Sequence, residues 1–338
     1  MLANRSIKLV SFGLSLLLFG SLLAVLLLGP QIRSFQQPIN QPGLNSYEVK
    51  AGSHLRRLAK DFEARGWVEN ANIFHYWYRL QGKAEAIKAG EFPLNSGDSV
   101  ADLMQRIVTG QTLQHPVAVV EGARFRDFRA ALKAAPGLKQ ETAAWTDAQI
   151  MVAMGAPDQH PEGMFFPDTY LYSKGTSDLT ILRQAYQRMQ QTLQREWAAK
   201  ADGLPLKNAY EALILASIIE KETGLGSERA EIAGVFVRRL QKGMKLQTDP
   251  TIIYGMGDRY DGNIRRKDIR EATPYNTYVI RGLPPTPIAL PGAAAIHATL
   301  HPADGEALYF VAKGDGSHYF SATLEEHNRA VRKYQLKR

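Results

Sequence analysis

Glu220 stands at the end of an almost wholly apolar run, Leu213-Ile214-Leu215-Ala216-Ser217-Ile218-Ile219. A helix through Asn208–Glu222 puts Ala212, Ala216 and Glu220 one turn apart on one face, where two small side chains would leave a hollow before the carboxyl. Apolar surroundings and the negative end of the helix dipole both disfavour ionisation there. A carboxyl kept protonated near neutrality is what a general acid requires. Lys221 opposes that shift if its ammonium folds back. Glu222 lies about 200° further round the same helix, which assigns it to the solvent side.

Other polar groups fall in the loop-rich stretch from Met244 to Pro291. Gln247, Asp249, Tyr275 and Asn276 offer the amide, carboxylate and phenol groups that hydrogen-bond a polar ligand. Each has a plainer reading, since Thr248-Asp249-Pro250 makes a good turn and Asn276-Thr277 would cap a bend. Glu162 and Asp168 are alternative second carboxylates. There is no cysteine, which excludes disulfides, thiolate metal sites and a thiol nucleophile. His297 and His301 have the four-residue spacing of helical metal ligands, but no acidic third ligand lies at motif spacing, so no metal is expected. The glycines of Tyr254-Gly255-Met256-Gly257 and Gly314-Asp315-Gly316 form no phosphate-binding fingerprint, so no cofactor is expected either.

Several motifs occur in order. Ala216-Ser217-Ile218-Ile219-Glu220-Lys221-Glu222-Thr223 resembles the signature of the YceG-like family of endolytic murein transglycosylases. Glu162-Gly163-Met164-Phe165-Phe166-Pro167-Asp168-Thr169-Tyr170 is similar to its aromatic segment. Leu246-Gln247-Thr248-Asp249-Pro250-Thr251, with Tyr254-Gly255, resembles its LQTDPT…YG motif. Tyr275-Asn276-Thr277-Tyr278, Gly282-Leu283-Pro284-Pro285-Thr286-Pro287-Ile288, His318 to Phe320 and Glu326-His327-Asn328 are similar to the remaining motifs. Met164 and Phe166 depart from it where tryptophans are common, and Thr286 where a small residue often sits.

The resemblance implies a substrate of alternating N-acetylglucosamine and N-acetylmuramic acid, cut within nascent strands. It implies Glu220 as the single acid/base; Gln247, Asp249, Tyr275, Asn276 and Glu162 are, from their side-chain chemistry, the candidate substrate contacts. A glycan hydrolase ordinarily needs two carboxylates. A lytic transglycosylase can use one, because the sugar's own C6 hydroxyl replaces water and closes a 1,6-anhydro ring. Two alternatives remain: a hydrolase with Asp249 or Asp168 as second carboxylate, and a non-enzymatic wall-binding tether. Peptidoglycan synthases are partners that the family and the shared membrane suggest.

The elements that must position these groups begin with an anchor. Leu9 to Leu28 carries no charge, and twenty residues at about 1.5 Å each match a hydrocarbon core of about 30 Å. Arg5 and Lys8 precede it, so the positive-inside rule leaves residues 1–8 in the cytoplasm and sends the bulk of the chain across the inner membrane. A cleaved signal peptide has a shorter apolar core and a small-x-small site, absent here, so residues 9–29 read as a retained transmembrane helix. Residues 30–46, rich in Gln, Pro, Asn and Gly, read as a tether.

Residues 47–114 then read as strand, helix, helix, strand, helix, with Ser53 as first N-cap, and resemble a LysM-like peptidoglycan-binding subdomain. Residues 115–338 form a larger mixed α/β catalytic domain, opening on a strand at Val117–Val120, and the whole is an α+β protein. The net charge of +8 favours anionic surroundings, yet no RNP, zinc-finger or helix-turn-helix signature accompanies it, so nucleic acid is not an expected partner.

Overall fold

The computed structural model describes Phe19 and residues 26–336. The expected membrane helix at 9–29 falls almost entirely outside them. Among the described residues, no helix is long and apolar enough to cross a membrane. The chain divides into two compact units. One runs to His115 and includes the short segment Ser173–Gly175; the other comprises Pro116–Tyr172 and everything from Thr176 onward.

The first unit carries β1 (Ser46–Val49), α1 (Leu55–Ala64), α2 (Ala71–Leu80), β2 (Gly90–Pro93) and α3 (Val100–Thr109). β1 and β2 pair antiparallel, with Tyr47 opposite Phe92 and Val49 opposite Gly90. Leu55, Leu58, Ala59 and Phe62 recur at helical spacing and are the buried residues of α1. They join Phe74, Tyr78, Leu103, Met104 and Ile107 in one core. His54 rather than Ser53 caps α1, its Nδ1 accepting from the Arg57 N–H at 3.3 Å. Ser99 caps α3 in a reciprocal pair with Asp102. Within the same unit the Ser173 and Thr112 hydroxyls lie 2.6 Å apart, and Lys174 pairs with Glu48 at 2.8 Å.

The second unit is mainly helical. Its elements, counting β3 and β4, whose end residues fall in the first unit, are β3 (Gln114–Ala118), α4 (Phe125–Ala134), α5 (Asp147–Ala153), β4 (Thr169–Ser173), α6 (Asp178–Ala198), α7 (Ala209–Glu222) and α8 (Arg229–Gln241). They continue as α9 (Asp249–Met256), α10 (Arg266–Arg270), α11 (Ala293–Leu300), β5 (Tyr309–Ala312), β6 (His318–Ser321) and α12 (Leu324–Tyr334). β3 ends before Val120, which is exposed. Thr248-Asp249-Pro250 starts a helix rather than a turn, because proline fits the first turn, where its missing N–H costs no bond.

The central helix is α7. Asn208 caps it by accepting from the Glu211 N–H, and every residue from Ala212 to Ile219 is buried. A helix apolar on all sides must be covered on all sides. α11 packs on α7, and it also contacts α6 and α8. Ala212 and Ala216 are fully buried, and their small side chains allow close helix packing.

Candidate active site

The last turn of α7 sends its two glutamates to different places. Glu220 turns toward the start of α11, where its Oε2 accepts from the Gly292 N–H at 2.9 Å. Its Oε1 lies 3.8 Å from Arg229, and both side chains are largely buried. Burial raises its pKa, while the Gly292 N–H and Arg229 pull the other way; Glu121 adds a like charge. The Lys221 ammonium donates to the Gly122 carbonyl at 3.2 Å, and its charge opposes the rise at Glu220 as expected. A Cβ at Gly292 would meet the Glu121 carboxylate, an exposed side chain that would have to move aside.

Glu222 is not on the solvent side. It lines a polar cavity of about 630 Å³ together with Arg239, Gln247, Thr248, Asp249, Tyr278, Tyr309, His318, His327 and Asn328, a volume in the usual range for small-ligand sites. Glu220 is not among the residues lining it. Thr248 donates its hydroxyl to Glu222 Oε1. Burial pushes the Glu222 carboxyl up to about 7, with Asp249 adding a like charge and the Thr248 hydroxyl opposing. The angular offset between the glutamates is as expected. What differs is that Thr248 and the cavity residues cover Glu222, and Lys221 is the residue of that last turn left exposed.

Each wall of the cavity has a local cause. Gln247 is the only non-glycine residue at positive φ, +52°, among those described, a conformation that strains any side chain with a Cβ. Neighbours hold it there. Its N–H donates to the Thr277 carbonyl at 3.2 Å, and the Thr248 N–H donates to the Thr277 hydroxyl at 3.0 Å. Arg239, 7% exposed, donates to the carbonyls of Leu246 at 2.8 Å, Lys245 at 3.2 Å and Leu308 at 2.6 Å. Its guanidinium also lies 5.0 Å over the Tyr309 ring. One arginine thus ties the Gln247 loop to the β5–β6 hairpin.

Tyr278 donates to Asp249 Oδ1 at 2.7 Å, and burial raises its phenol pKa. Gln247 and Asp249 are exposed to the cavity. His318 is oriented by Glu228, which binds its Nδ1 at 2.7 Å and its backbone N–H at 2.9 Å. The His327 ring stacks on Tyr309, and its Nδ1 is buried without a hydrogen-bond partner. An unsatisfied polar atom in a cavity wall is a natural contact for a polyhydroxylated ligand.

The remaining expected contacts lie elsewhere. Glu162 is 4% exposed and accepts from the Phe125 N–H at the start of α4; burial pushes its carboxyl up to about 7. Asn276 is 1% exposed, and its amide donates to the carbonyls of Asp268, Ile269 and Glu271. Both therefore brace backbone. Tyr275 bonds the Thr286 hydroxyl at 2.8 Å and packs on Tyr254. Asp168 pairs with Arg188. Glu222, Arg239, Tyr278, Tyr309, His318, His327 and Asn328 are the cavity residues that sequence reasoning did not select. Tyr278, His318, His327 and Asn328 all sit inside the quoted motifs, which was the available signal.

The profile of the YceG-like family matches residues 47–333. The chain belongs to the YceG-like family. Among relatives of this YceG-like chain, the endolytic murein transglycosylase of Bacillus subtilis (strain 168) is 31% identical over 322 residues, covering 89% of this chain and 88% of that one. The endolytic murein transglycosylase of Streptococcus pneumoniae serotype 2 (strain D39 / NCTC 7466) is 27% identical over 317 residues; the match covers 84% of this chain and 57% of that longer protein. A crystal structure of a putative YceG-like protein from Listeria monocytogenes matches 84% of this chain and 98% of its own length, with 28% identity and a TM-score of 0.52.

Proposed function

We propose that the chain is a lytic transglycosylase that cuts within peptidoglycan glycan strands, and that the cut is made in the Glu222 cavity. The observation that carries this reading is a carboxyl with its pKa raised to about 7, facing a cavity rich in hydrogen-bonding groups. The activity named for the Bacillus and Streptococcus relatives supports it.

In this reading Glu222, protonated, gives its proton to the glycosidic oxygen between N-acetylmuramic acid and N-acetylglucosamine as the C1–O bond breaks. The resulting carboxylate takes the proton from the C6 hydroxyl of the muramic acid. That oxygen then bonds to C1 and closes the 1,6-anhydro ring. The Thr248 hydroxyl orients the carboxyl, while Gln247, His318 and Asn328 hold the sugar substituents. Glu220, the acid/base expected from its apolar run and from the motif, instead secures the start of α11 in this scheme.

Asp249 lines the same cavity, which favours a hydrolase as the second reading, with Asp249 as the partner carboxylate. Mass spectrometry of digested glycan separates the two, because an anhydro end is lighter than a reducing end by one water. Reducing ends alone would overturn the transglycosylase reading. Intact glycan would leave the wall-binding tether.

The reading extends to the cell surface. The uncharged run from Leu9 to Leu28 supports a single inner-membrane anchor with the catalytic unit outside the cytoplasm. The β1-α1-α2-β2 order supports a LysM-like wall-binding role for the first unit, and peptidoglycan synthases would be neighbours on the same membrane.

A further inference from the structure

His297 and His301 lack an acidic partner nearby in sequence, but the fold supplies one from α6. The geometry points to a divalent transition-metal site formed by Glu196, His297 and His301, separate from the Glu222 cavity and independent of the glycan reading. One ligand atom from each of the three residues falls within 4.8 Å of the other two. Glu196 Oε2 lies 2.8 Å from His297 Nδ1. The two imidazoles, on α11 and its C-cap, stack with centroids 4.3 Å apart.

Two imidazoles and one carboxylate suit Zn²⁺, Co²⁺, Ni²⁺ or Cu²⁺, whereas Mg²⁺ and Ca²⁺ prefer all-oxygen sets. Arg195 occupies the other carboxylate oxygen of Glu196 at 3.1 and 3.2 Å, which fixes the direction of Oε2. The His301 Nε2 lies 2.8 Å from the Ala199 carbonyl and its Nδ1 3.2 Å from the His297 carbonyl. A bound ion takes the lone pair of one ring nitrogen, so that nitrogen must give up its carbonyl contact while the other keeps its own. The His297 side chain is 61% exposed, so an ion can enter from solvent. Bound metal would fasten α11 to α6.

The test is a Co²⁺ titration of the full chain followed by visible absorption, with Zn²⁺ as competitor, repeated on His297→Ala, Glu196→Gln and His54→Ala. The expected result is one saturable site whose absorption Zn²⁺ abolishes. Loss of a ligand should weaken binding by at least the factor of about 10 that loss of an outer-shell partner costs, and His54→Ala should leave it unchanged. Because His297 is exposed, its alanine variant keeps the fold, which circular dichroism checks. A melting temperature raised by Zn²⁺ in the native chain and unmoved in His297→Ala is the second readout. Absence of a saturable signal, or equal affinity in His297→Ala, overturns the assignment.

Discussion

Thr248 and Glu222 come from different elements of the candidate site, one at the N-cap position of α9 and the other ending α7, and the threonine hydroxyl donates to the glutamate carboxyl. The bond fixes one carboxyl oxygen. A proton held on the group then has a defined direction, which proton transfer to a sugar oxygen requires.

Replacing Glu222 with Gln should lower strand cleavage by about 100- to 10,000-fold, the usual contribution of a positioned acid. Retention of purified glycan strands should persist, because Gln247, Asp249 and Asn328 are untouched. Product analysis beside a binding assay checks both halves; a fully active Glu222→Gln chain would reject the cavity as the place of cleavage.

The raised carboxyl has a thermodynamic signature. The folded chain binds the Glu222 proton more tightly, at about 7 against an ordinary 4.5. The group therefore costs nothing below pH 4.5, and its penalty grows as pH rises through 7. The Glu222→Gln chain should then be the more stable of the two near pH 8, by up to about 3 kcal/mol, and gain nothing in acid. Denaturant unfolding at two pH values measures this. For the native chain, kcat/KM should fall as pH rises through about 7, because the acid form is consumed.

Glu220→Gln should behave differently. It weakens a buried contact with Arg229 while keeping an oxygen for the Gly292 N–H. Because burial also raises the Glu220 pKa, the neutral amide offsets the lost ion pair, so stability near neutral pH should hold within about 1 kcal/mol, with specific activity within about tenfold of native. If activity vanished in a chain of native melting temperature, the two glutamates would have to exchange roles.

Gln247→Gly removes a Cβ from a left-handed backbone. Relief of about 1 kcal/mol of strain offsets the added chain entropy, so stability should hold or rise slightly. The amide is lost, so KM for glycan should rise more than kcat falls. A changed kcat at constant KM would place Gln247 away from the substrate.

Much of the helical framework was legible. The apolar run ending at Glu220 located α7, whereas Ser53, read as the first N-cap, lies one residue before the His54 that caps α1. The candidate site was legible only in part. Periodicity gives the angle between Glu220 and Glu222, but which face holds a cavity depends on Thr248, His318 and α12, far along the chain. Asn276 looked like a sugar contact because its chemistry suits one. Its amide is instead consumed by three carbonyls of the α10 segment, a demand that only tertiary structure reveals. Glu196 was unreadable as a partner of His297 for the same reason, since some hundred residues separate them.

Because Ser173–Gly175 belongs with the N-terminal unit, the polypeptide passes from one unit to the other three times. Recombining the N-terminal unit into another protein as a single block would leave Thr112 without Ser173 and Glu48 without Lys174. A faithful transplant needs an additional splice around residues 173–175, and a truncation beginning at Pro116 would expose a tripeptide whose partners have been discarded.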